Sequence, residues 1–159
     1  MPRSLLLNHV VLFLCCSIYL GTGVSLVFFQ FPLEPRLTPD NYALAFVEPV
    51  IRATQFFTWM TIVMLVTASI MLFTEWFTGI RWVPAVVLLA IVAATALTMF
   101  AIIPYNERLY AGISNQAELA DIFHRWANLN RIRVALWTVQ WLAMMYWFAR
   151  LAWNARSDR

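Results

Sequence analysis

Four long apolar stretches constrain the fold of this chain more than any other feature of its sequence. They cover residues 5–29, 50–74, 83–103 and 134–153. A helix that crosses a membrane needs roughly 20 mainly apolar residues, and each stretch meets that length. The connections between them leave no room for a soluble domain. We therefore predict an all-α protein in which residues 1–159 form a single integral membrane domain, a four-transmembrane-helix bundle with a short extramembrane helical extension before the last span. The extension is predicted to begin near Gln116, because Asn115 and Glu118 resemble a capping box.

Composition supports this prediction. Hydrophobic residues make up 62% of the chain and charged residues 12%, a balance outside the range of soluble domains. The first stretch would also suit a cleaved signal peptide, because Arg3 precedes it, but it is longer than the usual core of about 7–15 apolar residues. The net charge of +3 comes from arginines spread along the chain, so we expect no nucleic-acid partner.

The polar residues form none of the common catalytic or metal-binding patterns. Cys15 and Cys16 are adjacent, which matches neither a C-x-x-C redox pair nor a spaced metal site. The sequence contains no spaced nucleophilic triad and no glycine-rich phosphate loop. His9 and His124 are expected at opposite membrane faces, so they would not share a metal or a haem. We predict no metal site and no cofactor.

One face of the helix that is predicted to lead into and form the last apolar stretch carries polar residues where lipid or protein interior is expected. At 100° per residue, six side chains fall within about 40° of a common line. They are Trp126, Asn130, Arg133, Trp137, Gln140 and Met144. Amide and guanidinium groups are costly against lipid. This face is therefore predicted to point into the bundle.

The second apolar stretch carries a similar polar stripe. Four residues lie within about 60° of helical arc: Glu48, Arg52, Gln55 and Trp59. In a chain with four spans, the second and fourth spans start from the same side of the membrane, so their polar faces lie at similar depth. We predict that the two stripes meet, with Asn106 and Glu107 close above them.

Two interpretations of these stripes are open. In the first, they enclose a pocket for a small aromatic or quinone-like molecule, with tryptophan walls and with guanidinium and amide groups binding its oxygen atoms. In the second, Arg52 and Arg133 pair with Glu48 and Glu107, and the amides join helices by hydrogen bonds. The predicted pocket residues are Arg52, Gln55, Trp59, Asn106, Trp126, Asn130, Arg133, Trp137 and Gln140. No catalytic residue is assigned among them.

Three short elements carry a resemblance to a known family. Pro104, Asn106 and Leu109 form a Pro-x-Asn-x-x-Leu element at the end of the third stretch. Trp126, Asn130 and Arg133 follow as Trp, three residues, Asn or His, two residues, Arg, and the first stretch contains Gly21 and Gly23. With these elements the chain resembles the anthrone-oxygenase-like integral membrane family, whose bacterial members are mostly uncharacterised.

The resemblance implies a four-helix membrane bundle over nearly the whole chain. It also implies a cofactor-independent oxygenase that converts anthrones to anthraquinones, with Asn106, Trp126, Asn130 and Arg133 as the site. The alternative is a non-catalytic accessory or interaction subunit that binds a membrane protein partner.

Either function would place a multi-pass protein in the lipid bilayer of the cell inner membrane. The arginines near the span ends are nearly balanced between the two faces of the membrane. We discount Arg52 and Arg133 because both are expected to face inward. The remaining arginines then predict that both termini are cytoplasmic.

Overall fold

The computed structural model describes residues 2–157, apart from the side chains of residues 155 and 157. Every regular element within this range is helical. The α-helices are α1 (Arg3–Ser25), α2 (Glu48–Glu75), α3 (Trp82–Leu97), α4 (Ile103–Tyr110) and α5 (Gln116–Ser157). The prediction of an all-α protein is confirmed.

Single turns of π-helix extend three of these helices without a break. They are Leu26–Gln30 after α1, Ala43–Val47 before α2 and Thr98–Ile102 between α3 and α4, and the 3₁₀-helix Phe31–Arg36 continues the first of them. Three continuous helical runs result: Arg3–Arg36, Ala43–Glu75 and Trp82–Tyr110. Each is long and apolar enough to cross a membrane. The first three predicted spans fall within these runs.

Helix α5 differs from the three apolar runs. It is unbroken over 42 residues, which makes it about 63 Å long at 1.5 Å per residue. Only the three other runs qualify as spans among the described residues, because tryptophan, amide and guanidinium side chains lower the mean hydropathy of α5. Three of the four predicted spans are thus confirmed as helices of spanning length and hydropathy, and α5 is not a clear span.

The start of α5 follows from local capping. The side-chain oxygen of Asn115 accepts the backbone N–H groups of Ala117 at 2.8 Å and Glu118 at 3.2 Å, as an N-cap residue does. The predicted helix start near Gln116 is confirmed. Gly112 precedes it with a φ of 90°, a conformation that glycine adopts without steric strain.

Helices α2 and α5 lie on opposite sides of the centre of the protein. Each of them packs against both α1 and α3, so those two helices separate them. Gly23 allows α1 to pack closely against α5, because a Cβ atom at this residue would lie 2.9 Å from Cγ1 of Val134. Small residues allow such close crossings between membrane helices. Space is left in the middle, between α2 and α5.

The segment from residue 31 to residue 47, which we call the cap, folds over one end of these helices. The hydroxyl group of Tyr42 donates to the carbonyl of Leu109 at 3.1 Å and accepts the N–H of Ile113 at 2.8 Å. The ring of Phe46 meets Trp126 edge to face, with centroids 4.5 Å apart. The cap therefore fixes the first third of α5 over that end.

Candidate functional site

A cavity of about 350 Å³ occupies the space between α2 and α5. This volume lies in the range of small-molecule binding sites, which are mostly apolar with a few placed polar groups. The lining follows that pattern. It includes Phe57 from α2, Ile91 from α3, and Arg133 with Gln140 from α5. The cavity is thus lined by residues of all three apolar runs and of α5.

Arg133 brings a guanidinium group to the cavity without a counter-charge. Its Nη1 donates to the hydroxyl of Thr98 at 3.3 Å, its Nη2 donates to the side-chain oxygen of Asn130, and its Cζ lies 4.8 Å from the centre of the Trp137 ring. Within residues 2–157, its buried Nε has no hydrogen-bond partner and no carboxylate pairs with the group. A positive charge that is partly withdrawn from water without a counter-charge is costly.

Asn130 is positioned to direct this guanidinium group. Its amide nitrogen donates to the backbone carbonyl of Trp126 at 2.8 Å, which leaves its oxygen facing Arg133. The indole N–H of Trp126 donates in turn to the side-chain oxygen of Asn106 at 2.9 Å. The four residues that the family resemblance implies as the site are thus joined by hydrogen bonds at the capped end of the cavity.

Gln140 is the second polar group that α5 presents to the cavity. It is only 1% exposed, and its Oε1 atom is buried without a hydrogen-bond partner among the described residues. Trp137 lies between Gln140 and Arg133 and packs against Tyr19, with ring centroids 4.8 Å apart. Four residues of the α5 stripe predicted from helical periodicity therefore line an internal space, namely Trp126, Arg133, Trp137 and Gln140, whereas Asn130 and Met144 do not line it.

The predicted stripe on α2 does not face this space. Arg52, Gln55 and Trp59 are exposed, Trp59 at 73%, and none of them lines the cavity. At 100° per residue they lie nearly opposite the α2 residues that do, which include Ala53 and Phe57. The prediction that they meet Arg133 is wrong.

Hydrogen bonds from α1 explain why α2 is oriented this way. The hydroxyl of Tyr19 donates to the carbonyl of Phe57 at 3.1 Å and lies 2.6 Å from the hydroxyl of Thr61. The amide of Asn8 donates to the carbonyl of Thr67 at 2.9 Å. Periodicity shows which residues share a face, but these contacts decide which face turns inward. A tyrosine inside an apolar span was the signal that the sequence analysis did not use.

The ion pairs of the structural interpretation are not formed. Neither Arg52 nor Arg133 pairs with Glu48 or Glu107 in the described part of the chain. The observed pairs lie elsewhere: His9–Glu75 at 3.7 Å, Arg108–Glu118, His124–Glu34 at 3.3 Å and Arg125–Asp121 at 2.9 Å. The hydrogen bond that Arg125 donates to the Asp121 carboxylate raises the pKa of Arg125. Both predicted amides are buried, but neither joins two helices by a hydrogen bond within residues 2–157.

The fold and the cavity define a class of protein: a multi-pass helical membrane protein with a ligand-sized internal space. Over residues 2–157, no group of three or more His, Cys, Asp or Glu side chains is placed to hold a metal ion. No protein-family model, curated protein or solved structure matches the chain. The function is therefore inferred from the cavity itself.

Proposed function

We propose that the cavity binds a small, mainly apolar molecule through an oxygen atom held by Arg133. The observation that carries this proposal is the guanidinium group at the cavity wall, which within residues 2–157 has a buried Nε without a partner and no carboxylate beside it. Guanidinium groups bind oxygen atoms through a rigid set of N–H donors. A phenolate or enolate oxygen would satisfy the unused donors and offset the charge, and a quinone oxygen would satisfy the donors.

The proposed setting is a four-span bundle in the cell inner membrane with cytoplasmic termini. In this arrangement the second half of α5 is the fourth span. Its packing against α1 and α3, which both belong to apolar runs, supports the assignment. The first third of α5, which packs under the cap, would lie outside the hydrocarbon core, because α5 is about twice as long as the roughly 30 Å core.

The proposed reaction is that of the anthrone-oxygenase-like family. The methylene carbon of an anthrone loses two hydrogens, and O₂ supplies one oxygen atom to the new carbonyl group and one to water. Arg133 would stabilise the enolate oxygen that forms when the substrate loses its first proton, since oriented N–H donors are most effective in a water-excluded site. The hydrogen bonds that join Asn106 to Trp126 and Asn130 to Arg133 support this assignment.

The test compares two arginine variants of the protein in detergent. Arg133→Met removes the guanidinium group from the cavity, and Arg52→Met is the matched control on an exposed face. We would measure folded yield, and binding of 1-naphthol and 1,4-naphthoquinone by quenching of tryptophan fluorescence. We expect Arg133→Met to keep its yield and to bind roughly 10- to 100-fold more weakly, as for a lost hydrogen bond to a charged group.

The control is expected to match the unmodified protein in both measurements. Unchanged binding by Arg133→Met would overturn the proposal. A reduced yield with normal binding per folded molecule would instead assign Arg133 a structural role. Conversion of anthrone in air, followed by absorbance, tests the oxygenase reaction separately from binding.

A second candidate function is that of an accessory or interaction subunit. The exposed side of α2 favours it, because Arg52 and Gln55 lie within an apolar run and form no hydrogen bond or ion pair among the described residues. Polar groups in a membrane helix usually face protein or water. If a membrane protein covers this face, native gels of membranes solubilised without heating should show a complex larger than the protein alone. The double variant Arg52→Met, Gln55→Leu should not form this complex. An unchanged band would exclude this interface.

A further inference from the structure

Gln140 is a second polar group of the cavity wall, at a defined distance from Arg133. It follows Arg133 by seven residues on the same face of α5, which corresponds to about 10.5 Å along the helix axis. A buried amide without hydrogen bonds costs free energy. Gln140 lines the cavity, and its Oε1 is buried and lacks a partner among the described residues. A turn of the side chain toward the cavity would let a polar group of the ligand satisfy this oxygen.

The end of the cavity at Arg133 favours a different chemical group of the ligand. A guanidinium group has five N–H donors, and Arg133 uses two of them within the described chain, toward Thr98 and Asn130. Its charge has no carboxylate beside it. An ionised oxygen forms shorter and stronger hydrogen bonds with such a group than a neutral one does. The charge therefore favours an anion at this end.

The wall between these two points is aromatic. Trp137 lies between Arg133 and Gln140 along α5, and the Tyr19 ring packs against it. Both residues line the cavity. A flat, apolar body would pack well here, because aromatic groups favour stacked or edge-to-face contacts.

The opening of the cavity indicates where such a molecule comes from. Thr54 and Thr58 of α2 and Met99 of the π-helical turn after α3 line the cavity and are also exposed, Met99 at 56%. The opening therefore lies between two helical runs that are apolar and long enough to cross a membrane. A ligand that uses it must dissolve in the acyl-chain region.

We propose that the ligand is an elongated, lipid-soluble weak acid, with an anionic oxygen at Arg133 and a hydroxyl or N–H group at Gln140. This inference rests on the proposed function, since it specifies the molecule that the same cavity binds. It adds a requirement for two polar ends that are separated by a flat apolar body spanning about two turns of helix.

Three related aromatic probes test the two ends separately. The probe 6-hydroxy-2-naphthoate carries both polar ends, 2-naphthoate lacks the hydroxyl group, and 2-naphthol lacks the carboxylate. Binding would be measured by tryptophan quenching in phosphatidylcholine nanodiscs. For the unmodified protein we expect 6-hydroxy-2-naphthoate to bind about fivefold more tightly than 2-naphthoate, as for one additional neutral hydrogen bond.

The variants Gln140→Leu and Arg133→Met assign each end to its residue. We expect Gln140→Leu to weaken the binding of 6-hydroxy-2-naphthoate about fivefold and to leave the binding of 2-naphthoate unchanged. Arg133→Met should weaken the binding of both carboxylates more than it weakens the binding of 2-naphthol. If the hydroxyl group does not strengthen binding to the unmodified protein, or if Gln140→Leu weakens the binding of both carboxylates equally, this inference fails and the proposed function stands. If Arg133→Met weakens none of the probes, or none binds, both fail.

Discussion

Gly23 of α1 packs directly against the side chain of Val134 on α5, which leaves no space for a side chain at residue 23. A Cβ atom at residue 23 would lie 2.9 Å from Cγ1 of Val134 and 3.2 Å from Cε3 of Trp137. The position of Trp137 in the cavity wall therefore depends on a glycine in the neighbouring helix.

Replacing this glycine should lower stability. We expect Gly23→Ala to reduce the free energy of unfolding by about 1–3 kcal/mol, the usual cost of overpacking. Gly21→Ala is the matched control, because a Cβ at residue 21 meets nothing within 4 Å. The control should be neutral or slightly stabilising, since alanine favours helix over glycine. Unfolding by SDS in mixed micelles, followed by circular dichroism, measures both. Equal stability of the two variants would contradict the packing described for α1 and α5.

The buried hydrogen bond between Trp126 and Asn106 should contribute to stability as a pair. Trp126→Phe leaves the side-chain oxygen of Asn106 without its donor, and we expect a loss of about 1–3 kcal/mol. Asn106→Leu removes the acceptor at a similar cost. The double variant should lose less than the sum of the two, because the two residues interact directly. Strict additivity in the same unfolding measurement would show that the bond does not form.

A carboxylate placed beside Arg133 should compete with an anionic ligand. Asn130→Asp puts a negative charge where the Asn130 oxygen now accepts from Arg133. We expect binding of 2-naphthoate to weaken at least tenfold, whereas 2-naphthol changes little, because a close ion pair offsets the charge that attracts the carboxylate. Fluorescence titration of both probes gives the comparison. A parallel loss for both would indicate a general distortion of the cavity.

A bulky residue at the opening should slow the access of ligands. Thr58 lines the cavity and is exposed, so we expect Thr58→Phe to reduce the association rate several-fold. Val66→Phe is the control, because Val66 is an exposed residue of α2 that does not line the cavity. Stopped-flow quenching with 6-hydroxy-2-naphthoate in nanodiscs measures the rates. Equal rates in both variants would place the route elsewhere.

Local and periodic signals in the sequence predicted much of this structure. Length and hydropathy identified three apolar helices, and Asn115 identified the start of α5. The 3.6-residue period grouped Arg133, Trp137 and Gln140, which do line one cavity. Each of these features depends on residues that are near one another in the chain.

The orientation of α2 depends on contacts between distant residues, and the sequence did not reveal it. Arg52 and Gln55 share a face with Trp59, as periodicity requires, but Tyr19 fixes the opposite face toward the centre by bonding to the backbone of Phe57. No pattern within α2 contains that information. The prediction of a fourth span in α5 is not confirmed for another reason. The polar residues that suit a cavity wall also reduce the mean hydropathy of α5 below that of a clear span.

The continuity of α5 has a mechanical consequence. Between Trp126, which is held against Phe46, and Gln140, the helix contains neither proline nor glycine, the residues at which helices most often kink. We expect this part of α5 to move as one rigid piece, with one end beneath the cap and the other along the cavity. A tilt of the first end would therefore tilt the second, so the shape of the cavity depends on how firmly the cap is held in place.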